Sequence, residues 1–282
     1  MRLCRFEDKG ALASGVVVEG RVVSLRAVNR SLRADFPLDL DELVHQERLS
    51  DLQERAHEIA ASGPSLDEVR LLSPLVRPPK IWCIGLNYVD HASDLSEKAP
   101  EEPASFMRPA HSIIGPGDTI HLPAASERVT GEAELAIVIG RRCRDVSVEE
   151  AGDAIAAFVP ALDMTAEDIL RRNPRFLTRS KSFDTFLSLG PFLVTPDEIG
   201  GPGDVRKIRT ATWLNGEAKR ENVVAHMKHD PYTLISFHSR GMTWLPGDVL
   251  LTGTPGAVAL SDGDVVGSEV SGVGLLENPV KR

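Results

Sequence analysis

Cysteine is scarce in this chain. Cys4, Cys83 and Cys143 are the only three in 282 residues, odd in number and without a metal- or disulfide-type spacing. That argues against a disulfide framework and for free thiols in a reducing compartment. Cys83 and Cys143 lie in apolar, strand-like runs and read as core. Aromatic residues make up 5% of the chain, and there is no lysine/arginine block or interleaved aromatic stripe. With a formal net charge of −9, nucleic acid is not expected as a partner. Long hydrophobic runs are missing too. None approaches the roughly 18 residues of a membrane span, and the N-terminus has no apolar signal-like segment. A soluble, cytoplasmic protein without a membrane partner is expected. There is no internal repeat or low-complexity tract.

What is present is an ordinary apolar content of 42%, enough for a real core. The length suits one large domain, or a small one plus a large one. Short strand-like runs open the chain, with Val18-Glu19-Gly20-Arg21 as a hairpin turn. Leu38 to Ala61 has helical spacing. Arg77-Pro78-Pro79-Lys80 is a stiff linker, which divides the chain into residues 1–76 and 77–282. Beyond it, Ile81 to Gly85 reads as a buried strand, and Val249 to Pro255 as a buried strand running into a tight loop. Asn215-Gly216 marks a hairpin, and Asp262-Gly263-Asp264 precedes a final one. Ser147 and Glu150 form a capping box for a helix expected to run to about Ala157; Pro231 to Ser239 is a second helix. Many short strands between Gly/Pro turns, with few helices, give an α+β, mainly β chain of antiparallel character, folded as a sandwich or roll.

The most informative stretch is Gly131-Glu132-Ala133-Glu134-Leu135-Ala136-Ile137-Val138-Ile139. Its second half is a buried strand closed by Gly140. In a strand, residues two apart share a face. Glu132 and Glu134 therefore stand side by side, roughly 6–7 Å apart, while Leu135, Ile137 and Ile139 face a core. Two adjacent carboxylates on an apolar strand repel each other, and desolvation aggravates this. A hard divalent cation with oxygen ligands relieves it. The next strand-like run, Phe158 to Asp163, ends in a third acid just before Thr165-Ala166-Glu167-Asp168 opens a helix. Asp163 would complete a facial set of three carboxylates.

Taken together, Gly85-Leu86-Asn87-Tyr88-Val89-Asp90-His91, Gly131 to Leu135, Leu162-Asp163-Met164-Thr165-Ala166, Arg179-Ser180-Lys181-Ser182-Phe183-Asp184-Thr185 and Pro246-Gly247-Asp248 to Pro255 resemble the fumarylacetoacetate hydrolase family. They occur in that family's order and span about residues 80–280. The resemblance implies a mixed β-sandwich roll as catalytic domain, a small N-terminal α/β domain over residues 1–76, and a homodimer. It also implies Mg²⁺, or Mn²⁺ or Ca²⁺, held by Glu132, Glu134 and Asp163. His91 would be the catalytic histidine, paired with Asp94 or with Glu97 further along. Lys181 would face a developing enolate, and Tyr88, Arg108 and Thr254 would contact the substrate. Arg108 stands where lysine is common.

The implied substrate is a small 2-oxo acid. The leading reaction is hydrolysis of a C–C bond in an acylpyruvate or 2,4-dioxo acid through a metal-stabilised enolate. The alternatives are decarboxylation of an oxaloacetate-type 2-oxo acid, or isomerisation or hydration of 2-hydroxy-dienoates from aromatic degradation. Glu167 and Leu170 stand where many hydrolytic members carry an arginine and a glutamine, which bears on the choice. A non-catalytic metal-binding or ligand-sensing protein is the reading from a different class.

Overall fold

The computed structural model describes residues 1–88 and 100–282. Its centre is an antiparallel pair of long strands, Val129–Ile139 and Ile155–Ala166. The first is rich in β-branched and apolar residues, and every residue in it except Glu132 is buried. A strand covered on both faces reads as a continuous apolar run, and this pair is the spine of a 13-stranded sheet. On one side Val129–Ile139 is flanked by Val249–Leu251, then Ile81–Gly85 in parallel to it, then the edge strand Ala104–Arg108. On the other side Ile155–Ala166 pairs with Leu187–Leu189 and Leu193–Val194.

Residues 1–76 add strands to the same sheet: Arg2–Asp8 pairs with Leu193–Val194. Three short helices, Leu25–Leu32, Leu40–His45 and Leu49–Glu54, bury Leu25, Val28, Leu40, Leu43 and Leu52 against Ala136, Val138 and Val159 of the central pair. The opposite face, Leu135, Ile137 and Ile139, packs on Leu234, Ile235 and Trp244. A five-stranded sheet completes that layer, with Val266 and Leu276 reaching Leu162 and Met164. The result is a sheet-dominated α+β fold, as the strand and turn pattern predicts. Among the described residues, no helix is long and apolar enough to cross a membrane.

The hairpin turns form where the sequence places them. Glu19 and Gly20 (φ 49° and 74°), and Asn215 and Gly216 (φ 52° and 79°), take the left-handed pair of conformations that a two-residue hairpin demands. Helix Pro231–Gly241 begins where Asp230 accepts the Thr233 N–H at 2.9 Å. The three cysteines are free and buried. One expectation fails. Ser147 and Glu150 do exchange their capping hydrogen bonds, but only a 3₁₀ turn, Ala151–Ala154, follows, and a strand starts at Ile155. Pairing along the whole of Val129–Ile139 outweighs a local helix signal, because isolated short helices are marginal in water.

His238, on the helix Pro231–Gly241, is buried among Trp82, Phe237 and Trp244, with ring centroids 5.4, 5.1 and 6.4 Å away. Burial first, and His229 second, pull its imidazole down from 6.5 to about 4. The unfolded chain thus takes up a proton that the folded chain refuses. This contribution to stability is complete above pH 6.5 and is lost as pH falls toward about 4. Urea unfolding at pH 7 and pH 5 tests it. His238→Gln is expected to lose less stability than wild type between the two, and equal losses would refute the assignment.

Candidate metal centre

The register of the central pair assembles the site. Glu132 lies directly opposite Asp163, and Glu134 opposite Ala161. Opposite residues in an antiparallel pair have Cβ atoms roughly 4.5–5.5 Å apart, so the three carboxylates share one small patch of one face. A ligand oxygen from each lies within 4.8 Å of the others. Asp163 and Glu134 are fully buried, and Glu132 nearly so. Further along, the same face disappears under the N-terminal helices through Ala136 and Val138.

The sheet opens beside Glu134. On the far side of Val129–Ile139, the neighbouring chain pairs as far as Leu251, opposite Ala136, and resumes at Ala257, opposite Glu132. Between them Thr252 to Gly256 leaves the sheet as a loop. There the Gly253 N–H donates to Glu134 Oε2 at 2.7 Å. Gly253 has φ 96°, and a Cβ on it would lie 2.9 Å from Asn87 Cβ, so this approach needs glycine. Asn87 fixes the loop from the other side. Its Nδ2 donates to the carbonyls of Thr252 (2.7 Å) and His229 (2.9 Å), and its Oδ1 accepts the His229 N–H at 3.0 Å.

Three like charges this close repel by roughly 3–4 kcal/mol per pair at an effective dielectric of about 20. Two cations oppose them. Lys181 Nζ, at the end of the short helix Leu177–Lys181, sits 2.9 Å from both Glu132 Oε2 and Asp163 Oδ1. Arg108, the last residue of the edge strand, ion-pairs with Asp163 Oδ1. Thr165 donates to Glu132 Oε1 at 3.0 Å. Burial raises the Glu134 carboxyl well above the usual range, and Asp163 and Glu132 add to the rise; Lys181 and the Gly253 N–H oppose it. Lys181 is pulled down by burial, yet Asp163 and Glu132 more than reverse this and keep it protonated.

With all three carboxylates ionised, Lys181 and Arg108 would leave one net negative charge in a dry pocket; without a cation, the raised Glu134 carboxyl instead favours its protonated form. Asp163 Oδ2 is buried with no hydrogen-bond partner among the described residues, and such an acceptor is costly to leave unsatisfied. An all-oxygen donor set with one orphaned carboxylate oxygen fits a hard divalent cation.

The sequence-predicted residues are distributed as follows. Glu132, Glu134, Asp163 and Lys181 are brought together. Thr254 lies in the loop beside Glu134, its hydroxyl bonded within the turn to Gly256. Tyr88 is buried in the apolar cluster beneath Leu135. Arg108 lies against Asp163, enclosed. His91, Asp94 and Glu97 fall outside the described residues. Glu167 is tied to Arg128 and, at 2.7 Å, to Arg171. Sequence reasoning missed Asn87 as the staple of the loop and Thr165 as a partner of Glu132. The signals for Asn87 were its place just after the strand Ile81–Gly85 and its membership of the Gly85 to His91 stretch. As a test, Glu134→Gln removes one of three crowded charges. In EDTA its melting temperature is expected to equal or exceed that of wild type, while the rise produced by Mn²⁺ disappears. An undiminished Mn²⁺ effect would contradict the site.

Comparisons with known proteins give the family of this chain. The family model described as fumarylacetoacetate (FAA) hydrolase C-terminal matches residues 80–281. The mitochondrial oxaloacetate tautomerase fahd2 of Xenopus laevis is 36% identical over 295 residues, covering 99% of this chain and 90% of that protein. Among solved structures, a 5-carboxymethyl-2-hydroxymuconate delta-isomerase from Mycobacterium smegmatis superposes with a TM-score of 0.77 at 32% identity, covering 100% of this chain and 99% of the other. Maleylpyruvate hydrolase from Sphingobium sp. SYK-6, in complex with manganese(II) ion and pyruvate, gives 0.79 at 29%, with coverage of 100% and 99%. A family match over most of the chain, and relatives aligned along nearly its full length, leave one conclusion: this chain is a member of the fumarylacetoacetate hydrolase family.

Proposed function

We propose that this chain is a divalent-cation-dependent enzyme that interconverts the keto and enol forms of a small 2-oxo diacid of the oxaloacetate type. The observation that carries the reading is the protonated Lys181, buried and held 2.9 Å from two of the three clustered carboxylates. Supporting it, the relatives named as oxaloacetate tautomerases align over 99% of this chain.

Tautomerisation moves one proton between C3 and the oxygen on C2 and changes no mass. A bound Mg²⁺ or Mn²⁺, held by Glu132, Glu134 and Asp163, would supply Lewis-acid polarisation of the keto oxygen. Lys181 faces the oxygen on which negative charge develops, and its ammonium needs no reorganisation because Glu132 and Asp163 already fix it. Preorganised donors of this kind are worth about 3–4 kcal/mol of barrier. The buried sheet face excludes water, which strengthens each of these interactions. His91 is proposed, from its motif, as the group that carries the proton at carbon. Gly253 and Thr254, on the loop beside Glu134, are proposed to meet the substrate carboxylate.

C–C bond hydrolysis, the leading expectation from the sequence, shares the same enolate and is the second reading, supported by the likeness to maleylpyruvate hydrolase. It ranks second because Glu167 and Leu170 replace the arginine and glutamine that many hydrolytic members carry, and Glu167 is committed to Arg128 and Arg171.

The reactions differ in product. Oxaloacetate enol with Mn²⁺ should lose its ultraviolet absorbance without change of mass, and Lys181→Met should slow this about 10²–10³-fold. Release of CO₂ from oxaloacetate, or cleavage of acetylpyruvate to pyruvate and acetate with tautomerisation at the background rate, would replace the reading. Turnover that survives both EDTA and Glu132→Gln would remove the cation from it.

A further inference from the structure

We infer that Arg108 is a positioning residue that sets which cation this site accepts. By occupying one oxygen of Asp163 it makes that carboxylate a one-oxygen ligand, and so favours small six-coordinate ions over Ca²⁺. The inference rests on the reading of Glu132, Glu134 and Asp163 as a cation site.

The geometry around Arg108 is closed. Its side chain has no solvent exposure. Nη1 donates to the carbonyls of Lys181 and Phe186, the latter at 2.9 Å, and Nη2 donates to the Met164 carbonyl at 2.7 Å. These carbonyls belong to the end of a helix, the turn before Leu187–Leu189 and the central strand itself. The planar guanidinium is therefore pinned by backbone on three sides, which a flexible ammonium could not match. Its remaining bond goes to Asp163 Oδ1. Lys181 Nζ lies 2.9 Å from the same oxygen. Oδ1 thus faces two positive charges, while Oδ2, buried, has no partner among the described residues.

A cation chelated by both oxygens of Asp163 would have to approach Oδ1 past both positive charges. A cation bound through Oδ2 alone meets no such obstacle. Glu134 is constrained in the same sense, since its Oε2 accepts the Gly253 N–H; Glu132 differs, accepting from Thr165 at Oε1 and from Lys181 at Oε2. Three carboxylates giving one oxygen each fill half an octahedron, which suits Mg²⁺ or Mn²⁺. Ca²⁺ takes six to eight oxygens and commonly uses a two-oxygen carboxylate.

Calorimetric titration of the purified, metal-free protein with Mg²⁺, Mn²⁺ and Ca²⁺ tests this, on wild type, Arg108→Lys and Glu134→Gln. Lysine keeps the charge but cannot span three carbonyls and a carboxylate, so Asp163 gains the freedom to turn. With native circular dichroism retained, the Mn²⁺/Ca²⁺ affinity ratio is expected to fall about 10-fold in Arg108→Lys, the range seen when outer partners of metal ligands are altered. A ratio unchanged within two-fold, including a parallel loss for all three ions, would overturn the inference and leave Arg108 a structural residue. Should Arg108→Lys not fold, the wild type alone decides. Infrared difference spectra on Mn²⁺ binding should show the wide carboxylate splitting of one-oxygen ligation, and a narrow, two-oxygen splitting would overturn it. If wild type binds no divalent ion, or Glu134→Gln binds as well as wild type, the cation reading falls, and this inference with it.

Discussion

Repulsion among three carboxylates on one dry face of a strand pair is the constraint around which this protein is arranged. Glu132 and Asp163 oppose each other across the ladder, and Glu134 follows on the same face. Left alone, such a cluster would protonate or drive the strands apart. Lys181 and Arg108 arrive from two other parts of the chain to prevent this, and their joint charge stops one short of neutrality. With Glu134 ionised, a negative charge is left over beside Asp163 Oδ2, which has no partner among the described residues, and a divalent cation would answer it.

The rest of the fold can be read as the means of holding this cluster still. Both faces of Val129–Ile139 are covered, so slipping the register by one residue would turn the glutamates into the apolar cluster of Leu234 and Trp244 and move Leu135 and Ile137 into the site. The N-terminal helices close one face, and the helix Pro231–Gly241 with the second sheet closes the other. The gap between the two strands that flank Val129–Ile139 on one side, Leu251 to Ala257, falls beside Glu134. There the chain leaves the sheet as a loop whose backbone N–H meets a carboxylate, with Asn87 as its anchor.

Much of this could be read from residues alone, and the limits are physical. Glu132 and Glu134 were legible because a strand has a period of two and the run that follows them is apolar. Asp163 was legible as the acid ending a second apolar run, although its position opposite Glu132 is a matter of register that no local pattern encodes. The hairpins at Glu19-Gly20 and Asn215-Gly216 follow from left-handed conformations that few residue types tolerate. The helix expected after Ser147 was overridden by long-range pairing from Ile155 onward. Arg108 is the clearest limit. Its chief partner is 55 positions away, and the sequence offered it only as a substrate contact. Its enclosure by the carbonyls of Met164, Lys181 and Phe186 depends on three segments meeting in space.

The most direct test of the central claim is an anomalous-scattering map from crystals of the protein soaked with Mn²⁺. The account requires one dominant peak per chain, bounded by carboxylate oxygens of Glu132, Glu134 and Asp163. A map with no peak there at saturating Mn²⁺, or with its main peak elsewhere, would contradict it.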